Sequence, residues 1–527
     1  MKYLTYSGNA LLAAELPDTS TVYYPPPIIP GLSREEIPRR LTEALESPLG
    51  MEPLSQLVRT GSKVTIAFDD NCQPFPPMRR PDIRQVMIER LLELLYGFGV
   101  RKQDITLRCA IALHRKMQVP ELEHMLGPRI MAEFYPDQLA NFDAEDKADI
   151  VDLGATPHGE PVQTSRAVVD ADLVIYVDTI QIPLNGGHKS VAVGFGTYDS
   201  IAPHHNPAMT EDTPHVMQPD GSCMHDSITR ISRQLQKHCR IMVIEAAMNG
   251  ATYPAHLRHL AKPPERLSAI EKVVRAAAPT SMKPLPEAWR AGIFRSIKSE
   301  YAPIEINAGA IDPVHARTIA AIRPQLEVRA PRQHDTLVFG LPDLSPYSVG
   351  ARVNPVLVVS DVLGYVFNWF WNEPFIKPGG VVIILNPVFE VFHELYHAAY
   401  KRFWEEVLPA TTDPFEMRDN FQEKFARDPE LVEAYRNRFA HHGFHPFTVW
   451  YWATYPLRYL SDTILVGPPD DKAAKRLGVS WAPSLARALA MAREKTGGDD
   501  VAALTIPPFM YLSVDGNGGP RPAILGG

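Results

Sequence analysis

Short, almost wholly apolar runs alternating with segments of helical period constrain this chain more than any other feature. Residues 63–68 (Lys-Val-Thr-Ile-Ala-Phe) read as a buried strand, and Asp82–Phe98 carries apolar residues at helical spacing. Ile105–Leu113 is strand-like again, Val119–Gly127 reads as a capped helix closing on glycine, and Leu173–Val177 is a further apolar run. Strands without polar alternation are buried on both faces, as in parallel sheets covered by helices. The predicted fold class is therefore α/β. In such sheets ligands collect beyond the carboxyl ends of the strands, and Asp70, His114 and Lys189 each fall just past one.

A chain of 527 residues exceeds a single hydrophobic core, which stops growing at roughly 250–300 residues. The pattern predicts two α/β domains with largely parallel sheets and a cleft between them. Residues 1–265 form the first and 266–335 a connecting region rich in proline and alanine. Residues 336–527 form the second, with strands at Thr336–Gly340 and Val381–Leu385. An aromatic-rich helical insert fills about residues 388–460. Its Trp404, Phe421, Trp450, Tyr451 and Trp452 read as core, with a roomy ligand pocket as the costlier alternative.

The net charge of −8 gives no basic face for nucleic acid. No apolar run is long enough to span a bilayer, and the N-terminus lacks the features of a signal peptide. Four cysteines without CxxC spacing indicate neither a disulfide framework nor a cysteine zinc site. A cytoplasmic protein without nucleic-acid or membrane partners is expected, and a homo-oligomer stays open.

Gly186-Gly187-His188-Lys189, followed by the pair His204-His205, places an amine that can be covalently modified near an imidazole that can bind a metal. With its surroundings this segment resembles the lactate racemase family, the nickel-pincer-nucleotide enzymes acting on 2-hydroxy acids. The resemblance runs from Tyr3 to about residue 250 and more faintly beyond. It is carried by Ala112-Leu113-His114-Arg115 with the following Pro-Glu-Leu-Glu-His-Met-Leu-Gly, by Asp152-Leu153-Gly154 through Gly159-Glu160-Pro161-Val162, by Ala171–Ile175, and by Gly186–Ser190 with Tyr198 and Ile201.

The resemblance implies a nickel-pincer nucleotide joined to the Lys189 amine, with His205 as nickel ligand and Asp70, Gly186 and Gly187 around the cofactor. It implies that His114 removes the hydroxyl proton of a small hydroxy acid while the carbon-bound hydrogen leaves as hydride, giving racemisation or epimerisation. Asp70 matches the acid opening the family's Asp-x-Thr-Arg-Pro motif, where it would orient the cofactor or a histidine.

Three departures shift the expected specificity. Gln73 stands where an arginine would grip the substrate carboxylate, so Arg79 or Arg80 must reach in or the substrate differs. The second catalytic histidine is replaced by Gln181-Ile182-Pro183-Leu184, leaving His188 and His204 as candidates. In the second half Tyr347, Arg352 and Asn354 occupy the substrate region, and Arg115, Gln73, Tyr347 and Arg352 are taken as substrate contacts.

Two rival readings remain. His393-Glu394-Leu395-Tyr396-His397 is an HExxH pattern that on a helix could bind zinc, with Glu416 as a third ligand, in a metallopeptidase. Alternatively the protein binds a nucleotide or sugar acid without catalysis.

Overall fold

The computed structural model describes residues 1–211 and 215–515. Its first sheet has six strands in the spatial order Pro303–Gly309, Ile241–Met248, Leu173–Ile180, Val64–Asp69, Ile105–Ala110, Leu139–Asn141. All pair in parallel except the Pro303–Gly309 edge, which runs antiparallel to Ile241–Met248. The near-continuous apolar runs become strands buried on both faces, with Ile66, Phe68, Leu107, Ile175 and Val177 fully enclosed.

Register then aligns the strand ends. Asp69 pairs with Ala110, and Phe68 with Val177. The chain therefore leaves the sheet at one level at Asp70, at Ala112–His114 and at Gln181–Lys189.

Helix Ile83–Gly97 follows the predicted period. Asp82 caps it by accepting from the Arg84 amide, and Ile83, Met87, Ile88, Leu91, Leu92 and Leu95 face the core. Burying each such side chain contributes about 1.5–3 kcal/mol. The predicted glycine stop at Gly127 is a kink instead. Gly127 takes a left-handed conformation (φ 77°), and the helix resumes at Pro128 and runs to Phe134.

The second sheet is wholly parallel, in the order Ser480–Ala482, Asp462–Val466, Ile376–Leu385, His334–Gly340, Val501–Leu504, Thr21–Tyr23. Its last strand comes from the N-terminus. Likewise the stretch read as a connector, 266–335, supplies the antiparallel edge of the first sheet and the helix Ile311–Leu326 that packs on it. This edge strand is short, and its pattern is lost among the neighbouring prolines.

The aromatic insert is a set of short helices between Ala398 and Tyr459. It is pinned across the first domain: the Tyr435 hydroxyl donates to the Ala112 carbonyl (3.1 Å), the His442 amide to that of Leu113 (3.1 Å), and the Tyr198 hydroxyl to Glu423 (2.7 Å). Trp404, Trp450 and Tyr451 are core, as expected. Among the described residues no helix is long and apolar enough to cross a membrane.

Candidate active site between the two sheets

A cavity of about 160 Å³ lies between the strand ends of the first sheet, the second sheet and the insert. It brings together Asp70, Gln73, His114, Gly186, Lys189 and His205, as well as Tyr347 from the second domain.

Lys189 sits on the short helix Gly187–Val193. The turn before it needs glycine, because Gly186 and Gly187 both have positive φ (84° and 58°). A Cβ on Gly186 would lie 2.5 Å from Ile180 and 2.7 Å from Glu245; one on Gly187 would lie 2.7 Å from His315. Glu245 anchors the turn by accepting from the Gly187 amide at 2.8 Å. The Ser190 hydroxyl donates to buried Asp178 at 2.6 Å. Lys189 is thus presented to the cavity from a rigid base.

His205 lines the cavity beside the indole of Trp452, with ring centroids 5.7 Å apart. Its Nδ1 lies 2.6 Å from His204 Nδ1, which leaves Nε2 as the nitrogen it can offer a metal. Burial, reinforced by His204 and Lys189, holds the His205 pKa well below the ordinary value. The ring is therefore neutral, the form that ligates metals. His204 itself lies behind His205, outside the lining, and burial pushes its pKa to about 3. It orients its neighbour and does not face the cavity.

His114 stands in the turn after Ile105–Ala110 and is oriented by Asp70, whose Oδ2 lies 2.8 Å from His114 Nδ1. Burial opposes the charge on Asp70, yet His114 and the Cys72 contacts hold its carboxyl below the usual range. With Nδ1 committed, Nε2 is the basic atom available to a substrate. Cys72 completes the cluster, its thiol donating to Asp70 Oδ1 at 2.6 Å. Burial, followed by the charge of Asp70, raises that thiol well above its ordinary pKa, so it stays protonated and a weak nucleophile. Among the described residues Asp70, Cys72 and His114 form the closest group of metal-ligand type.

Several expectations are corrected. His188 lies outside the cavity, held by Ser232 (2.8 Å) and Asp312 (3.0 Å), because adjacent helical residues point about 100° apart. Arg115 is buried in a two-pronged ion pair with Glu121 (2.6 and 2.8 Å), its guanidinium 4.1 Å from the Tyr396 ring. Arg352 pairs with Glu287 at 2.6 Å and stacks on Phe389. Arg79 reaches Glu300, at 3.5 Å, and Arg80 is exposed. Among the described residues no arginine lines the cavity. Gln73 does, donating from Nε2 to the side-chain Oδ1 of Asn185 while its own Oε1 has no partner among the described residues. Asn354 caps the helix beginning at Pro355.

The HExxH segment is not helical; the helix begins after it, at Ala398. His393 stacks on Tyr396, and His397 is buried with Nε2 3.2 Å from the Tyr347 carbonyl. Glu394 and Glu416 are exposed. The two imidazoles tie loops together and do not share an ion position with a glutamate.

Sequence reasoning missed His445, Asp361, Tyr365 and Trp369, all on the cavity wall. His445 comes from the helix His445–Tyr451; its ring lies 5.1 Å from that of His114 and 4.6 Å from that of Tyr347. The Tyr400 hydroxyl meets its Nδ1 at 2.8 Å. Burial, then the charge of His114, holds its pKa well below the ordinary value. Asp361 was visible in principle as a lone acid inside the apolar run 355–366.

Known proteins share parts of this sequence and its fold. The lactate racemase N-terminal domain family matches residues 8–216. The lactate racemase of Lactiplantibacillus plantarum is 24% identical over 190 residues, which are 35% of this chain and 42% of that protein. The chain thus matches less than half the length of that curated relative. The lactate racemase apoprotein structure from Thermoanaerobacterium thermosaccharolyticum superposes with a TM-score of 0.61 at 16% identity, over 97% of this chain and 100% of that one. A Thermotoga maritima protein superposes with a TM-score of 0.50 at 13% identity, over 93% and 100%. Residues 8–216 thus match the lactate racemase N-terminal domain family, and the chain as a whole shares the fold of the lactate racemase apoprotein.

Proposed function

We propose that the chain is a racemase or epimerase of a 2-hydroxy acid or a close derivative, larger than lactate, that works by reversible hydride transfer. The observation that carries this reading is the convergence of Lys189, His205 and the Asp70–His114 pair on one cavity.

The donor set fits a nickel-pincer nucleotide. Among the described residues no hydrogen bond or ion pair engages the Lys189 amine, His205 is a buried neutral imidazole, and Ni(II) favours such nitrogen ligands in tetragonal sites. Lys189 would hold the group covalently and His205 would ligate its metal. When bound, the group supplies a hydride acceptor. His114 Nε2 takes the substrate hydroxyl proton, and Asp70 stabilises the imidazolium that results. The oxidised carbon is planar, so hydrogen returned to its opposite face inverts it. His445, neutral and close to His114, is the group placed to hold the proton for the other enantiomer. It fills the role of the histidine that the sequence lacks before Gly186.

The test is chiral chromatography of enantiopure 2-hydroxy acids and their derivatives, incubated with protein produced in a host that makes the cofactor. Loss of stereochemical purity at C2, abolished by His114→Ala, is expected. Retention of every stereocentre by adduct-bearing, nickel-loaded protein would favour the non-catalytic binding reading.

A further inference from the structure

The cavity wall carries polar atoms that have no hydrogen-bond partner among the described residues. Both carboxyl oxygens of Asp361, the indole nitrogens of Trp369 and Trp452, and Gln73 Oε1 are buried without a hydrogen-bond partner. Asp361, Trp369 and Trp452 are 5%, 4% and 3% exposed, and all line the cavity. Buried polar groups are nearly always paired, so orphans lining one cavity mark where a ligand supplies the partners.

Their chemistry specifies that ligand. The two indoles can only donate and Gln73 Oε1 can only accept, while Asp361, kept protonated by burial, offers one O–H donor and an acceptor oxygen. A carboxylate has acceptors alone, so it would answer the indoles and leave Gln73 Oε1 facing like oxygens. It would also be buried without a guanidinium partner, since among the described residues no arginine lines the cavity and Lys189 is committed to the cofactor in the reading above. A primary amide offers both an N–H donor and a carbonyl acceptor without charge. Leu341, Leu344, Val366 and Phe509 add apolar wall that suits a bulky hydrocarbon substituent.

We propose that Gln73, Asp361, Trp369 and Trp452 form a head-group subsite that selects a neutral 2-hydroxy amide with a bulky apolar or aromatic substituent over the corresponding free 2-hydroxy acid. This rests on the racemase reading for the role of the hydroxyl carbon, but the subsite binds independently of the chemistry.

A matched pair of probes tests it: 2-hydroxy-3-phenylpropanamide and 2-hydroxy-3-phenylpropanoate, titrated calorimetrically at pH 7 into the chain with and without the Lys189 adduct. The amide is expected to bind at least tenfold tighter than the acid. Asp361→Leu, an apolar replacement of similar size that suits a buried site, is expected to weaken amide binding at least tenfold, and Gln73→Arg to reverse the preference. Equal or tighter binding of the acid, or no binding of either probe, overturns the subsite. If the acid is preferred by protein that carries adduct and nickel, the subsite falls and the racemase reading stands. If no adduct or nickel forms, that reading falls while the amide preference is still decided.

Discussion

Asp70 Oδ2 lies 2.8 Å from His114 Nδ1, joining the residue after one strand to the turn after the strand beside it. This contact fixes the tautomer of His114 and turns Nε2 toward the cavity. Asp70→Asn keeps the shape but cannot stabilise an imidazolium. It is expected to slow epimerisation by about 10²–10⁴-fold, the range of a lost general acid–base contribution, with an unchanged circular dichroism spectrum. An effect below tenfold would remove Asp70 from the mechanism.

His445 lies close to the same imidazole from the opposite domain, with ring centroids 5.1 Å apart. His445→Gln is expected to reduce the epimerisation rate by about 10²-fold or more, with KM changed much less, as a proton-transfer role requires. A rise in KM at constant kcat would instead make His445 a wall of the binding site.

Gln73 occupies the arginine position of the family motif, and its amide donates to Asn185. Gln73→Arg would offer a charged, two-pronged grip on carboxylate. It is expected to tighten binding of short 2-hydroxy carboxylates by ~10-fold, about 1.4 kcal/mol, measured by titration calorimetry.

Asp361 carries a buried carboxyl whose pKa burial raises to about 8. The folded state therefore keeps a proton that the unfolded chain releases near its ordinary 3.8. Its contribution to stability is fully present below that value and is lost as pH rises toward 8, at about 1.4 kcal/mol per pH unit. Asp361→Asn is expected to flatten this slope in urea denaturation series between pH 5 and 8. A variant with the wild-type slope would show that Asp361 is ionised in the folded protein.

His397 bonds the Tyr347 carbonyl from a buried turn, whereas His393 is only half-buried against Tyr396. His397→Ala is expected to destabilise the fold by about 1–3 kcal/mol, and His393→Ala by under about 0.5 kcal/mol, in urea titrations. Stoichiometric zinc lost in both variants would revive the peptidase reading.

Much of this architecture is legible along the chain, because parallel strands announce themselves as unbroken apolar runs and their ends locate the site. Asp70, His114 and Lys189 meet as those ends predict. Short or borrowed strands are less visible: Thr21–Tyr23 and Pro303–Gly309 join sheets far from their neighbours in sequence. The second wall was hidden for another reason. His445, Trp369 and Trp452 lie in stretches whose composition is that of ordinary core, and only tertiary packing leaves them facing space. Arg115 and Arg352 misled in the opposite direction, since a guanidinium near a motif can be consumed by a carboxylate such as Glu121 or Glu287.

Intact mass spectrometry with metal analysis decides whether Lys189 and His205 hold a nickel-bearing cofactor. Protein from a host that synthesises the nickel-pincer nucleotide should carry a covalent adduct and one equivalent of nickel. Lys189→Ala should lose both, and His205→Ala the nickel. An unmodified chain, or zinc retained in Lys189→Ala and lost on substitution of His393 and His397, would contradict the account.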